Sequence, residues 1–143
     1  MPFSSLAHLF FSGLFLSTVL FYGCAVHPNK PLKNTYWVLT QMHDEDSQKF
    51  EHQPAVHIVF HLNDNTFHGS DGCNRINGSY KKDKNNFTIA KIVSTRMMCQ
   101  QGMKQAHLFL QTLTKTDRIK IKEDEMVLYS KDVEVARFEA IVK

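Results

Sequence analysis

The sequence lacks the short motifs that mark several classes of enzyme and nucleic-acid-binding protein. It contains no Gly-x-Ser-x-Gly sequence, no phosphate-binding P-loop and no Ser-His-Asp pattern that could be placed in a fold. Its basic residues form no long run of the kind that follows a nucleic-acid backbone, and its formal net charge is only +3. We therefore expect a protein that neither binds nucleic acid nor works as an enzyme.

Lys, Arg, Asp and Glu are absent from the apolar stretch between positions 3 and 22. A stretch of this length serves either as an export signal or as a membrane span. The tetrapeptide at positions 21–24 resembles the lipobox of bacterial lipoproteins, in which a small residue precedes a cysteine that is acylated after cleavage. Gly23 and Cys24 fit that pattern, whereas the two aromatic residues before them depart from it.

The lipobox resemblance predicts a chain in three parts. Residues 1–23 are expected to be a signal peptide, residues 24–33 a tether that begins at the acylated Cys24, and residues 34–143 one folded domain. Ala25 follows the cysteine, and by resemblance to Gram-negative lipoproteins this implies an outer membrane location with the domain facing the periplasm. Plain secretion and an uncleaved membrane anchor are the two alternatives.

The domain shows the apolar periods of many strands and one helix. Apolar side chains alternate with other residues from Val56 to Leu62, which predicts a half-buried strand. Helical spacing of apolar residues predicts a helix over about 101–114. Further strands are predicted at 36–40, 66–70, 87–93, 118–122, 126–130 and 133–141, with a polar loop at 42–54.

Turn-forming residues lie between the predicted strands. The dipeptide Asn77-Gly78 tolerates positive φ at both central positions of a type I′ turn, so it predicts a hairpin. Polar turns are also predicted at 63–65 and 84–86. A run of strands, one helix and a second run of strands favours an α+β fold, with a meander-like antiparallel sheet and the helix packed on one face.

Two motifs in this domain carry a family resemblance. The first is Gly72-Cys-Asn-Arg75 with Gly78 and Tyr80, and the second is Thr95-Arg-Met-Met-Cys99. With a Trp-x-Leu strand before them and a helix after them, they resemble a META domain, specifically the HslJ-like type of heat-inducible bacterial lipoprotein. The resemblance covers about residues 34–143. It implies a strongly curved antiparallel sheet, a place in the cell envelope and no established catalytic activity.

Three cysteines are present, and the compartment decides how they pair. If Cys24 carries lipid, Cys73 and Cys99 are left as an even pair in an oxidising space, which favours a disulfide between them. The alternative is two buried free thiols, since cysteine is often simply buried.

Arg75 and Arg96 are the most polar candidates for a binding site in the shared motifs. Their guanidinium groups could bind carboxylate or phosphate in a bidentate manner. We favour a structural role instead, in which they hydrogen bond to loop carbonyls or to a carboxylate such as that of Asp71.

The other motif residues have simpler interpretations. Asn74 and Thr95 suit turn and backbone-capping hydrogen bonds better than catalysis. Met97 and Met98 are expected to be part core and part adaptable contact surface. The residues that we consider structural or binding candidates are Gly72, Asn74, Arg75, Gly78, Thr95, Arg96 and Met97.

Five histidines lie in one third of the chain, at positions 43, 52, 57, 61 and 68. His57 and His61 would share one face of the predicted strand, about 13 Å apart at about 3.3 Å per residue, which is too far for one metal ion. We therefore expect a solvated face, and we predict neither a metal site nor a cofactor.

Three functions follow from these observations, in decreasing order of preference. The first is a non-enzymatic envelope lipoprotein that binds a protein or peptide partner, in stress tolerance or as a pilot or chaperone, because sheet edges accept an added strand. The second is a carrier of lipid or another small ligand on the concave face of the sheet. The third is a hydrolase or metal enzyme that uses the histidines.

Overall fold

The computed structural model describes residues 27–141, which form a curved antiparallel sheet and one helix. The predicted signal peptide, Cys24 and Ala25 lie outside the described residues. No helix in the described part of the chain is long and apolar enough to span a membrane. The elements are β1 (Tyr36–Met42), β2 (Glu45–Asp46), β3 (His57–Phe60), β4 (Thr66–Ser70), β5 (Arg75–Asp83), β6 (Asn86–Ser94), α1 (Met103–Lys115), β7 (Arg118–Lys122), β8 (Glu125–Ser130) and β9 (Val133–Ile141).

The sheet consists of two meanders that the first strand joins. The strand order is β6-β5-β4-β3-β1-β9-β8-β7, and β2 pairs only with β1. Strand β1 is antiparallel to β3 on one side and to β9 on the other. The predicted α+β fold with a curved, meander-like sheet and one packed helix is therefore confirmed.

The core lies on the concave face, where the helix packs against the inward side chains of the strands. Trp37, Phe60 and Phe138 from the sheet are completely buried there, as are Phe109 and Leu113 from α1. Alternation produces this face because every second residue of a strand points to the same side. Helix and sheet therefore bury one continuous aromatic cluster.

The predicted alternation of the third strand is correct for most of its length but ends early. Val56, Ile58 and Phe60 are buried, whereas Leu62 is 64% exposed. The strand stops at Phe60 because the chain turns there, and His61 already donates its backbone N–H to Thr66 in the next strand.

Part of the predicted tether belongs to the folded domain. Leu32 packs against the core, and its carbonyl accepts a hydrogen bond from the Trp37 indole. Further along, the backbone N–H of Lys30 donates to Glu123 at the β7–β8 turn. The ordered structure therefore extends back from the predicted start at Asn34 to about Asn29, whose side chain accepts from the Glu123 N–H.

The polar loop after β1 is also anchored. His43 and Asp44 have positive φ and turn the chain into the two-residue strand β2, which the sequence did not predict. Farther along the loop, Gln48 exchanges two hydrogen bonds with the side chain of Gln105 on α1.

The predicted hairpin turn at Asn77-Gly78 is wrong. Both residues lie inside β5, and neither has positive φ. A Cβ atom on Gly78 would lie 2.6 Å from the ring of Phe67 on β4 and 3.2 Å from the carbonyl oxygen of Ala90 on β6. Glycine is needed here because it leaves room for an aromatic ring across the sheet, and the turn lies earlier, between Ser70 and Arg75.

We expect Gly78→Ala to destabilise the protein and Asn77→Ala to be nearly neutral. Overpacking against Phe67 should lower the free energy of unfolding by about 1–3 kcal/mol. Asn77 is exposed, so its truncation should change that energy by less than about 0.5 kcal/mol. Urea unfolding of both variants measures this. Equal losses would instead support a turn in which both positions need positive φ.

Candidate functional site

A disulfide joins two loops at one end of the sheet. It links Cys73, in the turn between β4 and β5, to Cys99, in the loop between β6 and α1, across 26 positions of sequence. In the structure the two cysteines are thus joined as a disulfide and are not present as two free thiols. Both family motifs meet at this bridge.

The turn that carries Cys73 is organised by Asp71. This residue is buried, and its Oδ1 atom accepts hydrogen bonds from the backbone N–H groups of Cys73 at 2.9 Å and Asn74 at 2.6 Å. Gly72, between Asp71 and Cys73, has a φ of +95°, which favours glycine. The other oxygen, Oδ2, is buried without a hydrogen-bond partner among the described residues.

Asn74 fastens this turn to the second loop. Its Oδ1 atom accepts hydrogen bonds from the backbone N–H of Met97 at 2.7 Å and from the hydroxyl of Thr95 at 3.1 Å. The Thr95 hydroxyl oxygen in turn accepts the backbone N–H of Arg75 at 3.1 Å. Asn74 and Thr95 therefore make the backbone-capping contacts expected of them, and these bonds run parallel to the disulfide.

The two motif arginines do not have the structural role that we favoured. Both are exposed, and within residues 27–141 no hydrogen bond or ion pair involves either guanidinium group. Asp71 cannot serve them because its Oδ1 already binds the turn and its Oδ2 is buried. Arg75 and Arg96 are thus available to solvent or to a binding partner.

A cavity of about 490 Å³ lies between the second loop and helix α1. Its walls include polar motif residues and several sulfur-containing side chains. Neither Met97 nor Met98 belongs to the core as partly expected, because they are 58% and 96% exposed. The residues that line the cavity are Asp71, Asn74, Ser94, Thr95, Arg96, Met97, Met98, Met103, Ala106, His107 and Leu110.

Three of the five histidines considered in the sequence analysis lie on the outer face of the sheet. His61 Nε2 lies 2.7 Å from His68 Nδ1 on the neighbouring strand, and the ring of His57 stacks on Tyr36 with centroids 4.4 Å apart. His68 was not considered with His61 at the sequence level because strand pairing brings them together. No group of three His, Cys, Asp or Glu side chains in the described residues is arranged to hold a metal ion.

Some residues of the site were missed at the sequence level. An aspartate followed by glycine is a turn signal, so the role of Asp71 in its own backbone turn could have been recognised. Met103 and His107 lie one helical turn apart, which places them on one side of α1. Nothing in the sequence showed that this side faces the second motif.

The hydrogen bonds of Asn74 predict its effect on stability. In Asn74→Ala the Met97 N–H and the Thr95 hydroxyl lose their acceptor, so the free energy of unfolding should fall by about 1–3 kcal/mol. The exposed neighbour provides a control, since Arg75→Ala should change it by less than about 0.5 kcal/mol. If the arginine variant lost as much stability as the asparagine variant, the structural role would belong to the arginine after all.

The histidine pair predicts a pH dependence of stability. Burial, then the positive charges of protonated His61 and His57, lowers the pKa of His68. The folded protein therefore binds this proton more weakly than the unfolded chain. Stability should be full above the ordinary histidine pKa of about 6.5 and should decline as the pH falls through the lower folded-state pKa.

Urea unfolding between pH 8 and pH 5 tests this dependence. His68→Gln should lose less stability on acidification than the unsubstituted protein does. His52→Gln is the control, because His52 is exposed and lies beside the equally exposed Glu51. An unchanged acid response in the His68 variant would contradict the lowered pKa.

Comparisons with known proteins agree with the fold and with the two motifs. A family model for the META domain matches residues 30–141. The structure is similar to an NMR structure of a protein from Burkholderia xenovorans, with 22% sequence identity, a TM-score of 0.64, and coverage of 78% of this chain and 85% of that one.

A second NMR structure has 18% identity and a TM-score of 0.61, and the alignment covers 76% of this chain and 90% of that one. At such identities the two structures support a shared fold only. No curated protein matches the sequence. Since the family model spans most of the chain and contains both motifs, the protein belongs to the META domain family.

Proposed function

We propose that this protein is a lipid-anchored component of the bacterial cell envelope that binds an extended segment of a partner protein at the edge of its sheet. In this proposal Cys24 is acylated, the anchor lies in the outer membrane and the domain faces the periplasm. The protein binds its partner without catalysing a reaction. The disulfide supports the compartment, because such bonds persist in oxidising spaces.

The observation that carries the proposal is the outer edge of strand β7, which β6 approaches at its start, where Phe87 donates its backbone N–H to Asp117. This strand ends the sheet and pairs only with β8. Among the described residues, no backbone hydrogen bond reaches its outer side between Arg118 and Lys122. Unpaired N–H and C=O groups of this kind accept an added strand, which is the mode called β-augmentation.

The side chains of β7 indicate what kind of strand would fit. Arg118, Lys120 and Lys122 alternate on one face, where Arg118 already pairs with Asp132 and the two lysines are exposed. Ile119 and Ile121 pack partly against the core. A strand added beside them would place its own alternate residues next to these two rows. We therefore expect a partner segment in which acidic residues alternate with apolar ones.

The opposite edge of the sheet is less suited to receive a strand. Strand β6 contains a bulge, in which Lys91 and Ile92 lie opposite Gly78 alone and Lys91 has a φ of 52°. A bulge interrupts the regular spacing of hydrogen-bonding groups that an added strand needs. Helix α1 also packs near this strand.

The concave face offers less support for the alternative function as a carrier. Phe109 and Leu113 of α1 fill that face together with Phe60 and Phe138, and all four are completely buried. A carrier would need a cavity at this place. The aromatic cluster leaves the partner-binding function as the better-supported proposal.

Site-specific photo-cross-linking in intact cells tests the proposal. A photoreactive residue replaces Lys120 on β7 in one full-length variant and Lys91 on β6 in another. We expect a defined adduct with one envelope protein from position 120 only. Lys120→Glu with Lys122→Glu, combined with a probe at 119, should abolish it, whereas Lys82→Glu with Lys84→Glu, a matched reversal of two exposed lysines, should not.

The anchor is tested separately with Cys24→Ala, which removes the acylation site. Loss of the adduct in this variant would support a function that depends on the membrane. Equal adducts from both probe positions, or an adduct that survives charge reversal of β7, would contradict the proposed binding edge.

A further inference from the structure

We propose that Met97, Met103 and His107 form a binding site for a soft monovalent metal ion, Cu(I) or its analogue Ag(I), in the cavity between the second loop and α1. This site is independent of the β7 edge. Thioether sulfur is a soft ligand that selects Cu(I), and imidazole also binds copper. No metal site was predicted from the sequence, so this proposal departs from that expectation, and it uses none of the five histidines considered there.

The distribution of methionine first indicates this place. Met42 and Met126 are buried in the core, at 6% and 0% exposure. The other three methionines of the described residues line this one cavity and are 47% to 96% exposed. These three flexible side chains therefore line one cavity and are exposed to solvent, where they contribute little to the packing of the core.

The helix supplies two ligands on one side. Met103 and His107 are four residues apart on α1, so their side chains are neighbours along the helix. His107 Nε2 accepts a hydrogen bond from the side-chain N–H of Gln111 at 3.0 Å. In the neutral ring this leaves the proton on Nδ1, so a metal ion would bind at Nε2 and take the place of the Gln111 contact.

The loop between β6 and α1 supplies the third ligand, Met97, and a hydrogen bond to Asn74 fixes its position. The backbone N–H of Met97 is bonded to Asn74 at 2.7 Å. On the helix side, the Sδ atom of Met103 lies 3.7 Å from the Cys73 sulfur of the disulfide. The hydrogen bond and the bridge thus hold the two methionines on opposite walls of one cavity, while the exposed Met98 lies at its rim.

The charges at the cavity favour a monovalent ion. Arg96 and Asp71 both line it and are opposite in sign, and all three proposed ligands are neutral. Hard divalent cations need several oxygen ligands, and the only carboxylate in this lining is buried and bound to its own turn. Thioethers also remain available in an oxidising space, whereas the two cysteine sulfur atoms of the described residues are joined as a disulfide.

The same pattern argues against a purely apolar docking surface. The exposed methionines share the walls of this cavity with the polar side chains of Arg96, Thr95 and His107. A shared function as metal ligands explains why thioether and imidazole groups meet at this point.

The test is a titration of the full chain with silver nitrate in chloride-free detergent solution, with the disulfide oxidised. Cys24→Ser removes the acylation site, so that a chain left unacylated carries no free thiol that could bind silver. Methionine carries ¹³C in its methyl group, so each side chain gives its own NMR signal. We expect the signals of Met97 and Met103 to shift and to saturate at one equivalent, while those of Met42 and Met126 stay in place and report an intact core.

Ligand variants make the assignment specific. Met97→Leu, Met103→Leu and His107→Gln should each weaken Ag(I) binding at least about tenfold. His52→Gln is the matched control, since it removes an exposed imidazole elsewhere and should leave the affinity unchanged. Leucine has a volume close to that of methionine, so the fold should be retained.

Three results would overturn the proposal. The first is the absence of a saturable shift at Met97 and Met103. The second is equal silver affinity in the leucine variants. The third is a zinc titration that moves the same methyl signals at the same concentrations, because a soft-ion site should discriminate against zinc at neutral thioether ligands.

Discussion

The covalent and hydrogen-bonded connection between two loops is the constraint on which the rest of the site depends. The Cys73–Cys99 bridge, with the bonds of Asn74 beside it, fixes the start of α1 relative to the turn between β4 and β5. Closing a loop of this length stabilises the fold by about 3 kcal/mol in the chain-entropy description. Helix α1 then delivers its aromatic residues to the concave face in one orientation.

The residues of the two family motifs have two different roles. The side chains of Asp71, Asn74 and Thr95 form hydrogen bonds with backbone atoms and so fix the shape of the loops. Arg96 and Met97 follow directly on these residues and point away from the core, so the same short sequences hold the loops and present unoccupied groups to the surroundings. At the other end of the sheet order, β7 pairs with β8 on one side, and β6 approaches the start of its other side. Both surfaces depend on a domain whose interior is already filled.

Local sequence patterns predicted most of the strands and the helix, whereas they could not predict contacts between distant segments. Strands β4, β7 and β9 lie where alternation and turn residues placed them. The position of β1 between two meanders depends on pairing across the whole chain. Gly78 misled the prediction because its dipeptide has a strong local turn preference, while its actual requirement comes from the Phe67 ring on another strand. For the same reason, neither the roles of the arginines nor the contact between His61 and His68 was predicted.

The most direct test of this organisation is the oxidation state of Cys73 and Cys99 in the full-length protein isolated from intact cells. The protein is denatured without reductant, treated with iodoacetamide and digested, and the two cysteine peptides are analysed by mass spectrometry. We predict that neither cysteine is labelled until a reductant is added, and that the two peptides are recovered joined. Labelling of both cysteines without reductant would contradict the disulfide and the fixed position of α1 that we derive from it.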